Sequence, residues 1–307
     1  MMPRSLRSLL TGIIDYAGIY PPAQLPFEES LRHYVDYADS PFHWLVGSLV
    51  CPVAKLAELK SREQKYTQLA KLPLALIGSG GSSPEELVAQ CHKDFELFDS
   101  LRSSNWVARS YEFRIPADLA AAESMNEALK SATADCPASN VFCEIPIIEL
   151  SREEIQSAIT NVAKTNRCFV KFRLGGTSAE AFPTTETLAW AIEVAASTGI
   201  GVKFTAGLHH PFYHLDKTLN VRMHGFLNVF CAAVLAKEHG LESQTIEAIL
   251  METDRAEFSF DDEGMKVGNI GATNSQIEAG REFAVGFGSC SVMEPVEDLQ
   301  NLGYAFQ

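Results

Sequence analysis

A unit of strand, short loop and helix recurs along the chain, and it restricts the fold more than any other feature. β-Branched and aromatic runs that read as strands fall at 44–51, 72–78, 106–115, 140–147, 168–174 and 201–206. Their spacing of about thirty residues is the length of a βα unit, in which a crossover helix joins parallel strands. Six such units specify a parallel sheet covered by helices. The intervening segments carry helix punctuation. Ser83 with Pro84 and Glu86 reads as an N-cap, N1 proline and capping box; Ser151 with Glu154 repeats the box, and Gly199 reads as a stop. Leu188, Ala191, Ile192 and Ala195 form the apolar stripe of a helix packed on a sheet.

The pattern loosens after 206. Segments 224–240 and 243–253 read as consecutive helices, and FSFDDEGMKVG at 258–268 reads as two strands around a DDEG turn. AVGFGSCSV at 284–292 is then an eighth strand and EPVEDLQNLGY a last helix. This count gives a (β/α)8 TIM barrel with an irregular seventh unit; a doubly wound open sheet is the alternative. Residues 1–42 are expected to be N-terminal helices and a Pro-rich loop packed on the barrel, and 43–307 the barrel domain. With 46% hydrophobic residues, the 307-residue chain can bury one large core.

Twenty-five Lys and Arg against 39 Asp and Glu leave a net charge of −14, which argues against nucleic acid or an anionic membrane as partner. An anionic ligand therefore has to be held by local cations. Seven cysteines without a CxxC pair indicate buried, reduced thiols and a cytoplasmic location. MMPRSLRSLLTGI reads as an amphipathic helix rather than a targeting peptide, and no apolar stretch approaches the ~20 residues that span a bilayer.

Charged residues inside the strands mark a site. Strand alternation puts Lys171 and Arg173 on one face, Lys203 and Thr205 on one face, and Glu112 with Arg114 opposite Tyr111, Phe113 and Ile115. With Glu144 on the next strand, two carboxylates and four cations would face one cavity at the carboxyl ends of a barrel, where catalytic groups gather. Burial and neighbouring cations are expected to lower a lysine pKa there and free the amine as a Schiff-base nucleophile. Lys203 is preferred for that role, with Lys171 beside it. Glu144 or His209 would move protons, Arg114 or Arg173 would hold the anion, and Glu112, Thr205 and His210 would contact substrate. Gly175 and Gly176 open a loop whose backbone N–H groups could approach an anion. His209 and His210 leave open a divalent metal site; otherwise no cofactor is expected. DYAGIYPPA either folds over the mouth, delivering Asp15 or Tyr20, or plugs the bottom. His224 and Asn228 share a helical face, Ser289 and Cys290 end the eighth strand, and no base is fixed beside that pair.

The paired lysine strands, CFVKFRLGG and GVKFTAGLHHPF, are similar to those of class I aldolases such as deoxyribose-phosphate aldolase, where lysines on adjacent barrel strands share the chemistry. DYAGIYPPA, KFRLGG, KFTAGLHHP, MHGFLNVF and FGSCSVMEPVEDL together resemble a family of uncharacterised bacterial proteins; that resemblance implies a bacterial cytosolic protein and carries no catalytic residue. The expectation is a lyase-like enzyme acting on a small anionic carbonyl metabolite, with homo-oligomerisation open. The alternatives are a metal-dependent lyase or hydrolase using His209 and His210, and a non-catalytic anion-binding barrel. The last requires Lys171 and Lys203 to be fully paired, with no open cavity beside them.

Overall fold

The computed structural model describes residues 2–66 and 69–306. Eight parallel strands close into a barrel: β1 (Ile14–Tyr16), β2 (Val46–Pro52), β3 (Leu72–Ile77), β4 (Trp106–Arg114), β5 (Asn140–Ile145), β6 (Cys168–Arg173), β7 (Val202–Thr205) and β8 (Ala284–Ser289). They follow chain order around the ring, and β8 pairs with both β7 and β1. The (β/α)8 expectation holds, and closure rules out the open sheet.

The six runs expected as strands are β2 to β7, and the 284–292 run contains β8. The starting point is corrected. Barrel strands do not begin near residue 44, because Ile14–Tyr16 is the first of them, with Ile14 aligned on Phe287 of β8 and Val46 of β2. Three residues are too short a run for alternation to register, and the middle one is charged. The 258–268 segment is also corrected as a barrel position. It is a hairpin, as the DDEG turn suggests, but it continues through Ile270–Thr273 into a three-stranded antiparallel sheet outside the barrel. The irregular seventh unit is therefore the long crossover from β7 to β8. That crossover also holds a small hairpin, His214–Asp216 with Val221–Met223.

The expected caps and stop form, and the box at Ser151 is complete, but the box expected at Ser83 is corrected: the Glu86 carboxylate accepts from Ser82 rather than from the Ser83 N–H. Ser83 and Ser151 accept hydrogen bonds from the N–H groups of Glu86 and Glu154, and Gly199 takes the left-handed C-cap conformation at φ 74°. The helix Arg4–Leu10 buries Leu6, Leu9 and Leu10, as an amphipathic helix should. The helix Phe226–His239 is buried from Phe226 to Ala236, so it is apolar all round rather than on one stripe. Phe230 stands 5.5 Å from Phe204 and 5.8 Å from Phe287, tying this helix to β7 and β8. All seven cysteines are free and buried. Among the described residues no helix is long and apolar enough to cross a membrane.

Candidate active site at the carboxyl ends of the strands

Alternation sends Glu112, Lys171 and Lys203 into the barrel, and the pairing register sets their level. Glu144 lies opposite Lys171, and Lys171 opposite Lys203. Both ammonium groups point inside. Lys203 Nζ donates to the Asp15 carboxylate and, at 2.5 Å, to Glu112 Oε1. Lys171 Nζ lies 3.1 Å from Glu112 Oε2 and 2.9 Å from Glu144 Oε2. Glu112 thus holds both lysines, one on each oxygen, and Ser110 Oγ donates to it at 2.7 Å. Arg173 Nε, 4.0 Å from Glu144 Oε1, ends the chain of charges at the mouth. Three carboxylates thus face three basic side chains in one network.

Asp15 is the member that sequence periodicity could not assign. Its other oxygen accepts the Ser48 N–H at 2.5 Å, and the space it fills is left by Gly47, where a Cβ would sit 2.5 Å from that oxygen. The segment after β1 goes to the mouth rather than the bottom: Ala17, Tyr20, Pro21 and Pro22 line the cavity.

The carboxylates reverse the expected pKa direction of the lysines. Burial pushes Lys171 down, but Glu112 and Glu144 outweigh it and the pKa is raised. Lys203 is likewise pushed down by burial and raised beyond that by Asp15 and Glu112. Burial pushes Glu112 up, yet Lys203, Lys171 and the Ser110 hydroxyl bring it down to about 2. Neither lysine is a neutral amine at rest. The expectation had counted the cations on one face and could not count Asp15, which arrives from the far end of the chain.

Above the network opens a cavity of about 860 Å³. Glu112, Glu144, Lys171, Lys203, Arg173 and Thr205 line it, and the loops after β6 and β7 add Gly175, Gly176, Gly207, His209 and His210. The two loops touch backbone to backbone. A Cβ on Gly175 would lie 2.8 Å from Gly207 Cα, and one on Gly207, at φ +72°, would lie 2.4 Å from the Leu174 carbonyl oxygen. Arg114 is the exception. It is exposed, pairs with Glu149 and is not part of the cavity lining, because at the strand end its long side chain turns out to solvent.

His209 and His210 sit at the rim on different carboxylates, Nδ1 of His209 2.8 Å from Glu294 and Nδ1 of His210 2.7 Å from Asp298. Among the described residues no group of three or more His, Cys, Asp and Glu side chains converges as a metal site. Ser289 Oγ donates to the Ser291 carbonyl, and burial pushes the Cys290 thiol up. His224 and Asn228 are structural. His224 is buried against the Pro183 carbonyl, with its pKa pushed down to about 4 by burial, while Asn228 bonds Tyr213, Ile249 and Glu252 backbone groups.

No family model and no curated protein matches the chain, so the motif resemblance to a bacterial family finds no counterpart. Solved structures do match. Deoxyribose phosphate aldolase from Aeropyrum pernix, described as a unique tetrameric structure, superposes with a TM-score of 0.56 at 12% identity, covering 96% of this chain and 93% of that one. A protein from Coccidioides immitis described as a candidate deoxyribose-phosphate aldolase gives 0.55 at 9% identity, covering 98% and 88%. At these identities the likeness is one of fold: the chain shares the barrel architecture of deoxyribose-phosphate aldolases.

Proposed function

We propose that the chain is an aldolase-type lyase in which Lys171 forms a Schiff base with a small anionic carbonyl compound and Lys203 acts as an electrostatic group beside it. The observation that carries this reading is the pair of lysines, level on adjacent strands and sharing Glu112, on the floor of an open cavity. Lys171 is favoured as nucleophile over Lys203 on access. Its side chain is 9% exposed and borders Glu144, at 14%, whereas Lys203, at 2%, is clamped between Asp15 and Glu112.

Reaction begins with transfer of a proton from the Lys171 ammonium to Glu144, 2.9 Å away. The freed amine adds to the substrate carbonyl carbon, and the carbonyl oxygen leaves as water after taking up two protons. The resulting iminium ion carries the positive charge that the ammonium held, so Glu112 still has two cations on its oxygens. A base then takes the proton of the β-hydroxyl, the Cα–Cβ bond breaks, and its electron pair moves to the iminium nitrogen. An aldehyde is released; protonation and hydrolysis of the enamine release the second product and Lys171. Arg173 and the N–H groups of Gly175 and Gly176 suit an anion at the mouth, with His209 and His210 as rim contacts. The aldolase barrels of like fold support the reaction class at fold level, and the tetrameric one supports testing for a homo-oligomer by light scattering.

Cyanoborohydride trapping with a panel of aldehydes and keto acids tests the reading. A one-to-one adduct on Lys171, lost in Lys171→Met by at least about 100-fold, is the expected result. The second reading, a non-catalytic anion-binding barrel, meets one of its two requirements: both lysines are paired with carboxylates, but an open cavity lies beside them. It is the reading left if the panel binds and nothing is trapped.

A further inference from the structure

The interior of the barrel is divided chemically. Strands β4 to β7 bring Glu112, Glu144, Lys171 and Lys203 to the cavity, while β2 and β3, VGSLVCP and LPLALI, contain no charged residue and bring Val50 and Ile77 to the same mouth. Val50 packs with Ala17 and Ala75, and Tyr20 and Ile77 lean on them, in a small apolar cluster separate from the main core. Ile77 is the register partner of Glu112, so this apolar wall begins one strand, roughly 4.8 Å, from the carboxylate that holds both lysines. Pro21 and Pro22 extend it outward. On the other side of the mouth, the 214–223 hairpin adds Leu219 and Met223.

We infer that the substrate carries an apolar arm, of the size of a phenyl ring or a branched chain of several carbons, which lies on Val50, Ile77, Tyr20 and the two prolines while its carbonyl meets Lys171. The inference rests on the Schiff-base reading for the place of the carbonyl. A cavity of about 860 Å³ falls in the roughly 300–1,000 Å³ range that encloses drug-sized ligands, and a short sugar phosphate leaves much of it to water. Sugar hydroxyls set against this wall exchange water for side chains whose one polar atom is the Tyr20 hydroxyl. Apolar carbon set there releases water from both surfaces. Charge and apolar surface thus divide one ligand between them: an anionic group towards Arg173, a carbonyl over Lys171, and a hydrophobic arm towards β2 and β3.

The experiment uses the full chain and four probes. Pyruvate and 4-phenyl-2-oxobutanoate, which share the reactive keto acid and differ in the arm, are compared in cyanoborohydride trapping at equal subsaturating concentration. Acetate and 4-phenylbutanoate, which have no keto group, are compared in binding by ligand-observed NMR. The expected result is trapping of the phenyl keto acid at least tenfold faster than pyruvate, with that ratio reduced in Ile77→Asn. Equal or faster trapping of pyruvate overturns the inference and leaves the Schiff-base reading standing. Should neither keto acid be trapped, the Schiff-base reading falls, and the binding pair decides. Binding of 4-phenylbutanoate at least tenfold tighter than acetate, weakened by Ile77→Asn, supports the apolar arm; equal or absent binding overturns it.

Discussion

Glu112 is the residue on which the site turns. It is buried between two ammonium groups, and its pKa of about 2 against an ordinary 4.5 makes it a source of pH-dependent stability. Its folded pKa is depressed, so the unfolded chain binds the extra proton on acidification. The stabilisation is complete above pH 4.5 and is lost as pH falls towards 2. Glu112→Gln removes that dependence, and the difference in unfolding free energy between wild type and variant narrows across this window. At neutral pH the variant leaves two buried lysines short of a carboxylate and is expected to lose about 3–5 kcal/mol in urea unfolding. It also lowers the pKa of both lysines. The pH profile of imine trapping in Glu112→Gln therefore moves to lower pH, by about one unit or more. A profile that does not move would detach Glu112 from the nucleophile.

Among the elements, the paired turns after β6 and β7 hold the site together. Gly175 and Gly207 let two backbones touch where any side chain would intrude. Gly207→Ala meets the Leu174 carbonyl in a left-handed conformation, and its expected cost is about 1–3 kcal/mol, read from the shift of the denaturation midpoint. Because the loop after β7, which carries His209 and His210, parts from the loop after β6 when this contact opens, substrate KM is expected to rise more than kcat falls in the same variant. Of the two glycines, Gly175 was visible in the sequence as a loop residue that could approach an anion. Their contact with each other was not, because it joins two loops that only barrel closure brings side by side.

At the scale of the whole molecule, β1 closes the ring between β8 and β2 and delivers Asp15 to Lys203. Removing residues 2–17 leaves the facing edges of β2 and β8 unpaired and Lys203 without one of its two carboxylates. The expected product lacks near-UV circular dichroism and a cooperative thermal transition; a native transition in the truncated chain would contradict closure by β1.

The spacing of the strands, the helix caps at Ser83, Ser151 and Gly199, and the inward faces of Lys171 and Lys203 are local properties, set by backbone sterics and by alternation, and the sequence by itself determined them. It likewise placed Glu112, Glu144, Arg173 and the two histidines around one mouth. Tertiary structure decided what each of them does there. Asp15 meets Lys203 across 188 residues, and Glu112 meets it across 91. Those meetings turn the lysines from expected free amines into paired ammonium ions. Arg114 shows the reverse case, a residue with the right phase on its strand that finds Glu149 and solvent beyond the end of the wall. Periodicity reports the direction of a side chain; its charge state and partner depend on groups that only the closed barrel brings within a few ångströms.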